Sequence, residues 1–516
     1  MSAQVTFTET LSRRGSRLIE CVAASGIVAS LLVAIGGAGI GFFLWYVAVT
    51  HVGLLSAGGD FTFVLALTAG VALAFAGWFA YGDYFARRAG VGIVTAMRWD
   101  AVSWMFLGLF VAGAFLPVQF GTPGRSAAVA AALFGLSKIL VAARFVPTVR
   151  DVLVVFIVTR LPIIAVAELA SAMIGQRSGT HVAESANPLL AVWGRWDAVH
   201  YLDIARRGYY GTDMAFFPLY PLLIRFVGAF VGNELLAGMI ISNVALFFAL
   251  LFFYKLVEHQ FDRAVAHRAI FYISIFPTAV FFSAAYTESL FFMLTVASFY
   301  YIREHNWLRA GLLGALAALT RVEGVLLAVP YLIEVFTSDG AGSWRRWFST
   351  RRGALEVILG ALAIPAGLGA YMLWLWVLRG DPLYFSHVQA HWNRHLAWPY
   401  ESIWHSLKAI ATSHVAATVS AQVIELAFTA LMISVLIAGF WRLRPSLSAY
   451  MTLSIVVPMS TSSLMSMPRF ALVLFPMFMI LALWGKRPWV NNAIVAFSLP
   501  LLGLFTVLFA DWYWVA

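Results

Sequence analysis

Apolar runs of roughly 18 to 28 residues recur along the whole chain, and each is long enough to cross a hydrocarbon core about 30 Å thick as an α-helix. Of the 516 residues, 62% are hydrophobic and only 11% are charged, with a mean hydropathy of +0.85. Soluble globular chains carry about 25% charged residues, so water is not the main solvent of this protein. The expected fold class is an all-α polytopic membrane protein of about 13 to 15 membrane helices. The spans are expected at roughly 21–49, 61–82, 101–118, 126–143, 151–174, 235–256, 269–287, 288–302, 353–378, 415–440, 446–462, 470–485 and 490–510. The first run exceeds a secretory apolar region of about 7 to 15 residues and reads as an uncleaved anchor.

The charge balance orients the path. The chain has 34 Lys+Arg against 24 Asp+Glu, but the basic residues stand in short clusters between apolar runs, which marks membrane topology and not nucleic-acid binding. Arg13, Arg14 and Arg17 place the N-terminus inside, and the loops on that side collect 21 basic residues against ten outside. A single crossing at 310–335 would put the cluster from Arg345 to Arg352 outside. Two short helices bent back near Arg321-Val322-Glu323-Gly324 avoid that and are the preferred reading. Arginine outnumbers lysine 30 to 4, as expected of a GC-rich prokaryotic genome. Cys21 is the sole cysteine, which excludes an internal disulfide framework and a cysteine-based metal site.

Two long polar loops, 175–234 and 379–414, then fall on the same outer face, joined there by the turns at Tyr286-Thr287-Glu288 and Met467-Pro468-Arg469. In the first loop, a helix from about Ala198 would set Asp197 on one face with His200 and Tyr201, at i+3 and i+4, with Asp203 pointing elsewhere. The alternative reading makes Asp197 the N-cap of that helix, with Gly208 as its C′ residue. Phe216 to Arg225, aromatic and bounded by prolines, is expected to lie along the membrane interface. Arg321 and Arg469 stand in apolar surroundings, where a guanidinium normally has an anionic partner; Arg469, after Pro468 at a span entrance, reads alternatively as a snorkelling anchor. Glu288, at a hairpin tip, is either a partner for an arginine, a group that positions an acceptor, a cation ligand or a solvated turn carboxylate. Gln389, Trp392 and their neighbours suit a sugar surface, rings giving flat apolar faces and amides satisfying hydroxyls. His387, His391 and His395 repeat at i, i+4, i+8, but no local carboxylate completes a metal ligand set, and no metal is assigned beyond a possible divalent cation. Arg160 and Lys138 read as structural.

Four segments in order resemble the PIG-V family of mannosyltransferases, relatives of the enzyme that adds the second mannose to glycosylphosphatidylinositol. They are Arg195 to Tyr209 with Phe216 to Pro221; Phe276 to Phe291 with Leu319 to Gly324; Gly380 to Arg394; and Met467 to Phe470 leading to Phe475-Pro476. The resemblance covers roughly Asp151 to Trp484 and implies a GT-C architecture with a catalytic acidic residue in the first large outer loop of the core. It implies a polyprenyl- or dolichyl-phosphate-linked mannose donor and no nucleotide sugar. Carried over by position, Asp197 becomes the base that deprotonates the acceptor, and Arg321 and Arg469 become contacts to the donor phosphate. Arg195, Trp196, His200, Tyr201, Glu288, Gln389 and Trp392 complete the expected substrate site. The family core usually begins near the helix that delivers the Asp197 loop, whereas here residues 1–150 form an additional block of about four spans. With that departure, the expected acceptor is a cell-envelope glycolipid, polysaccharide or protein at the outer face of a bacterial plasma membrane. A transporter or flippase of lipid-linked sugars, and transfer of another sugar, are the rival expectations.

Overall fold

The computed structural model describes residues 26–45, 59–114, 123–174, 187–337, 344–392 and 394–515, together with Glu20, Val22 and Ala24. The N-terminal arginines, Arg177 and most of the expected outer loop before Asn187 lie outside the described residues. Among the described residues the protein is helical throughout, with no strand and one isolated bridge between Leu396 and Thr461. It is an all-α polytopic membrane protein.

The chain packs as two units, one reaching to Asp151 with the short piece Ala229–Gly232, the other taking in Val152–Gly228 and the chain from Asn233 onward. The first unit holds the helices Gly26–Trp45, Gly59–Ala89, Ile93–Ala114 and Pro123–Phe145. Small residues bring its backbones together: a Cβ on Gly41 would lie 2.5 Å from Leu67 Cα, and one on Gly70 would lie 2.3 Å from the Gly41 nitrogen. In a bilayer, where apolar burial hardly favours one helix contact over lipid, such close packing is a main source of association. Lys138 forms an ion pair with the buried Asp100, which also accepts from Trp104 Nε1 at 3.2 Å, and its ammonium lies 4.1 Å from the Tyr81 ring centroid.

In the second unit, Pro147–Met173, Glu234–Gln260, Arg351–Arg379, Ala416–Arg442 and Pro488–Ala510 are long enough and apolar enough to cross a membrane. Only 28% of the apolar window of Pro488–Ala510 is buried in protein, so most of that apolar surface needs lipid as its solvent. Over both units, seven described helices meet this test. The number becomes eight if Met467–Val473 and Phe475–Trp484, bent by 77° at their junction, form one broken span.

Several of the other expected runs are not continuous helices among the described residues. The run 269–287 leaves the α-helix after Ser274: Pro277 disfavours α geometry at Phe276, and the chain continues as turns and the 3-10 helix Ala279–Phe282. Glu288–Arg303 has 16 residues, Trp307–Ala318 has 12 and Pro445–Met459 has 15, each short of the roughly 20 that span comfortably. The stretch 310–335 is broken near Arg321, giving Trp307–Ala318, the 3-10 turn Val322–Leu327 and Ala328–Thr337. Gly324 lies so close to the first of these helices that a Cβ would stand 2.2 Å from the Ala317 carbonyl carbon.

Trp307–Ala318 and Arg351–Arg379 cross backbone to backbone, since a Cβ on Gly311 would meet the Gly360 oxygen at 2.1 Å, while one on Gly369 would meet nothing within 4 Å. Gly311→Val is therefore expected to destabilise the purified protein by about 1–3 kcal/mol or more, read as a lower thermal unfolding midpoint in detergent. Gly369→Ala should leave the midpoint within a degree or two; equal behaviour of the two variants would refute this crossing.

Candidate active site

The first acidic group is delivered by a strained turn. Trp196 adopts φ 58°, a left-handed backbone that costs a non-glycine residue roughly 1–3 kcal/mol. The surroundings hold it there: its indole packs on Trp512 and Trp514 at centroid distances of 5.7 and 5.3 Å. The Tyr286 hydroxyl donates to the Arg195 carbonyl at 3.0 Å, and Ala285 N–H donates to the Trp193 carbonyl at 3.1 Å. The helix Asp197–Arg207 starts immediately after this turn, with Trp196 at the N-cap and no side-chain capping bond. Asp197 is thus not the N-cap. Its Oδ2 instead accepts from Arg469 Nη1 at 2.7 Å. Gly208 closes the helix at φ 88°, as expected of a C-terminal glycine.

Arg469 is the hub. Its Nε and Nη2 donate to Glu288 Oε1 at 2.9 and 2.6 Å, and the same oxygen accepts from Arg321 Nη1 at 3.1 Å. Arg321 Nε reaches Glu323 at 3.5 Å. Glu288 is fully buried and the Arg469 side chain is 7% exposed, so neither the solvated-turn reading nor the snorkelling reading holds. Rings of Phe281, Tyr286 and Trp514 stand 5.0, 5.0 and 5.5 Å from Arg469 Cζ, enclosing the guanidinium. Asp197 and Glu288 each open a helix, where the N-terminal dipole favours a carboxylate by about 0.3–1 kcal/mol.

The turn that carries Arg469 is itself held by a carboxylate. Ser466 adopts φ 76°, and its N–H donates to Glu425 Oε1 at 3.0 Å while Met467 N–H donates to Oε2 at 2.9 Å. Glu425 is 6% exposed within Ala416–Arg442. Thr278 Oγ1 donates to the Pro468 carbonyl at 3.0 Å, tying the other side of the turn to the segment before Glu288.

These groups border a cavity of about 990 Å³, within the range of about 300–1,000 Å³ usual for small-ligand sites. Of the residues expected in the site, Asp197, Arg321 and Arg469 line it, as do Trp196, Tyr201, Gln389 and Trp392. Asp197 keeps 28% of its side chain exposed, and its Oδ1 makes no hydrogen bond among the described residues. Glu288 sits behind the wall, bonded to the arginines. His200 flanks it: the ring stacks on Phe216 at 4.6 Å and shares a hydrogen bond with Asp213 at 2.8 Å. Burial opposes its charge, but the Asp213 bond and the nearby carboxylates of Asp197, Asp213 and Asp203 outweigh that and raise its pKa. Arg195 is also off the wall, 1% exposed, with Nη2 on Ser171 Oγ at 3.3 Å. Burial pushes its pKa down to about 10, against the pull of Asp511 and Glu168.

Sequence reasoning assigned no role to Glu323, Arg394 and Trp514, which line the cavity, or to Glu425 behind it. No group of three His, Cys, Asp or Glu among the described residues is placed to hold a metal ion. The helix Tyr384–His387 passes into the 3-10 helix Val388–Trp392, so His387, His391 and His395 do not share one α-helical face; His387 pairs with Asp381 at 2.7 Å.

Removing Glu288 would leave two guanidiniums facing each other in a buried setting. Glu288→Ala is expected to cost about 3–5 kcal/mol, measured as the fall in unfolding midpoint of the purified chain. A loss under about 1 kcal/mol would mean that this pair is solvated and not the hub described.

Residues 136–338 match the family model described as Mannosyltransferase (PIG-V). A curated relative, GPI mannosyltransferase 2 of Cryptococcus neoformans var. neoformans serotype D (strain JEC21), is 32% identical over 148 residues, covering 26% of this chain and 35% of its own. GPI alpha-1,6-mannosyltransferase 2 of Rattus norvegicus is 33% identical over 169 residues, covering 30% and 33%, and its Mus musculus counterpart is 34% identical over 157 residues, covering 27% and 30%. The matched stretch thus spans about a third of the length of these relatives. No solved structure matches. The family segment contains Asp197, Glu288 and Arg321, and over residues 136–338 this chain is PIG-V-like in sequence.

Proposed function

We propose that the chain is an inverting mannosyltransferase that takes its sugar from a polyprenyl-phosphate carrier. The observation that carries this reading is a partly exposed carboxylate, Asp197, held by a buried guanidinium on the wall of a cavity of about 990 Å³. The PIG-V family match and the mannosyltransferase names of the relatives support the sugar and the reaction class.

In the proposed reaction the acceptor hydroxyl enters beside Asp197 and attacks the anomeric carbon of the lipid-linked mannose. Its proton passes to the Asp197 carboxylate, for which Oδ1 is the unengaged oxygen. The bond between the anomeric carbon and the phosphate oxygen breaks, its electron pair stays on the phosphate, and lipid phosphate departs. Arg469 donates to Oδ2 and fixes the direction of the carboxylate. Trp392 and Gln389 offer a ring face and an amide to the sugar or the acceptor. The acceptor is proposed to be a cell-envelope glycolipid, polysaccharide or protein, and the reaction to occur at the non-cytoplasmic face of a plasma membrane.

Membranes containing the chain, given radiolabelled polyprenyl-phosphate mannose, are expected to form a labelled product. Asp197→Asn should lower that transfer by about 10²–10⁴ while leaving the amount of folded protein unchanged, since Asn keeps an oxygen for Arg469. Undiminished transfer by the Asn variant would remove Asp197 as the base.

A further inference from the structure

Three guanidiniums line the cavity, those of Arg321, Arg394 and Arg469. Two of them are already matched. Arg469 bonds to Glu288 and Asp197, and Arg321 bonds to Glu288 and Glu323. These two cations face three carboxylates, so the cluster as a whole carries no surplus positive charge to offer an incoming anion.

Arg394 differs. The one described hydrogen bond of its side chain runs from Nη2 to the Met465 carbonyl at 2.7 Å, and its Nε is buried with no partner among the described residues. Burial, the dominant effect, lowers its pKa, and Asp197, Glu425 and Glu323, which raise it, and Arg469, which lowers it, act on it only through space. A partly buried guanidinium with no ion-pair partner is costly and is a candidate to serve an anionic ligand. Its planar fork of donors matches the oxygens of a phosphate, which a lysine meets only as a point charge. Two further donors on the same cavity wall, the indole N–H groups of Trp196 and Trp514, are likewise buried without partners among the described residues.

We propose that Arg394 is the phosphate-binding cation of the cavity, taking the phosphate of a lipid-phosphate sugar, and that Arg469 and Arg321 are positioning residues for Asp197. This deepens the transferase reading above and rests on it for the identity of the lipid. It also reassigns the phosphate contact, which the family resemblance gives to Arg321 and Arg469. When the glycosidic bond breaks, the phosphodiester monoanion becomes a phosphomonoester dianion. A cation in direct contact with no carboxylate stabilises that added charge, and charge stabilisation of this kind typically contributes about 10²–10³ in rate.

The test uses the full chain in lipid nanodiscs with radiolabelled polyprenyl phosphate as the binding probe, scored per folded molecule. Wild type is expected to bind the label, Arg394→Gln to bind it at least tenfold more weakly, and Arg394→Lys to fall between. Unlabelled polyprenol, which has the chain but no phosphate, should compete poorly. Equal binding by wild type and Arg394→Gln would overturn the assignment. Displacement of the label by equimolar inorganic phosphate would overturn the choice of a lipid headgroup as the ligand. Parallel transfer assays separate the two readings: label binding that depends on Arg394 without any mannose transfer sinks the transferase and keeps the phosphate site. Mannose transfer with kcat and KM unaltered in Arg394→Gln sinks the phosphate site alone.

Discussion

A fully buried carboxylate, Glu288, joins Arg469 and Arg321 through one oxygen, and the candidate site is arranged around that join. Each guanidinium would be prohibitive alone in an apolar setting, and a carboxylate between them turns two costs into one network. Arg469 engages Glu288 through Nε and Nη2, which fixes the plane of its guanidinium, and from that plane Nη1 donates to Asp197 at 2.7 Å. The orientation of the proposed base therefore follows from a residue that never reaches the cavity.

The backbone at both ends of this network is held in geometries that need support. Trp196 and Ser466 both have positive φ, and each is followed by the residue, or the short Pro-containing step, that presents a functional side chain. Trp196 is fixed by aromatic packing from the C-terminal segment, Ser466 by the two oxygens of Glu425. Such strain persists only where the surroundings over-determine it, and the same constraints that maintain it keep Asp197 and Arg469 in register. Helix termini add to this, since Asp197 and Glu288 each begin a helix.

Much of the cavity wall was legible in the sequence because its residues are polar interruptions of an apolar text. Arg321 and Arg469 stand out for that reason, and a membrane protein carries such groups only where they have partners, while Asp197 and Trp392 belong to the two long polar loops. Glu425 was not legible: it lies inside a long apolar helix, its partners are backbone N–H groups 41 and 42 residues away, and no side-chain pattern announces that contact. Trp514 was not legible because it belongs to no motif of the site, and only the fold sets its ring 5.5 Å from Arg469 Cζ. Arg195 and His200 share a motif with Asp197, yet motif proximity does not fix direction; the turn at Trp196 sends Arg195 behind the wall, and the helix sets His200 against Phe216 and Asp213. The breaks within the apolar runs were not legible in hydropathy, for a related reason. Hydropathy registers apolar length and is blind to Pro277 and to the break at Arg321, where the helices stop short of a full crossing.

The central claim is that Arg469 acts on the chemistry through Asp197. A kinetic double-mutant cycle tests it directly: transfer rates per folded molecule are measured for wild type, Asp197→Asn, Arg469→Lys and the double variant. The predicted result is strong non-additivity, with Arg469→Lys costing little once Asp197 is already Asn. Losses that simply multiply would show the two residues acting independently and would contradict the account.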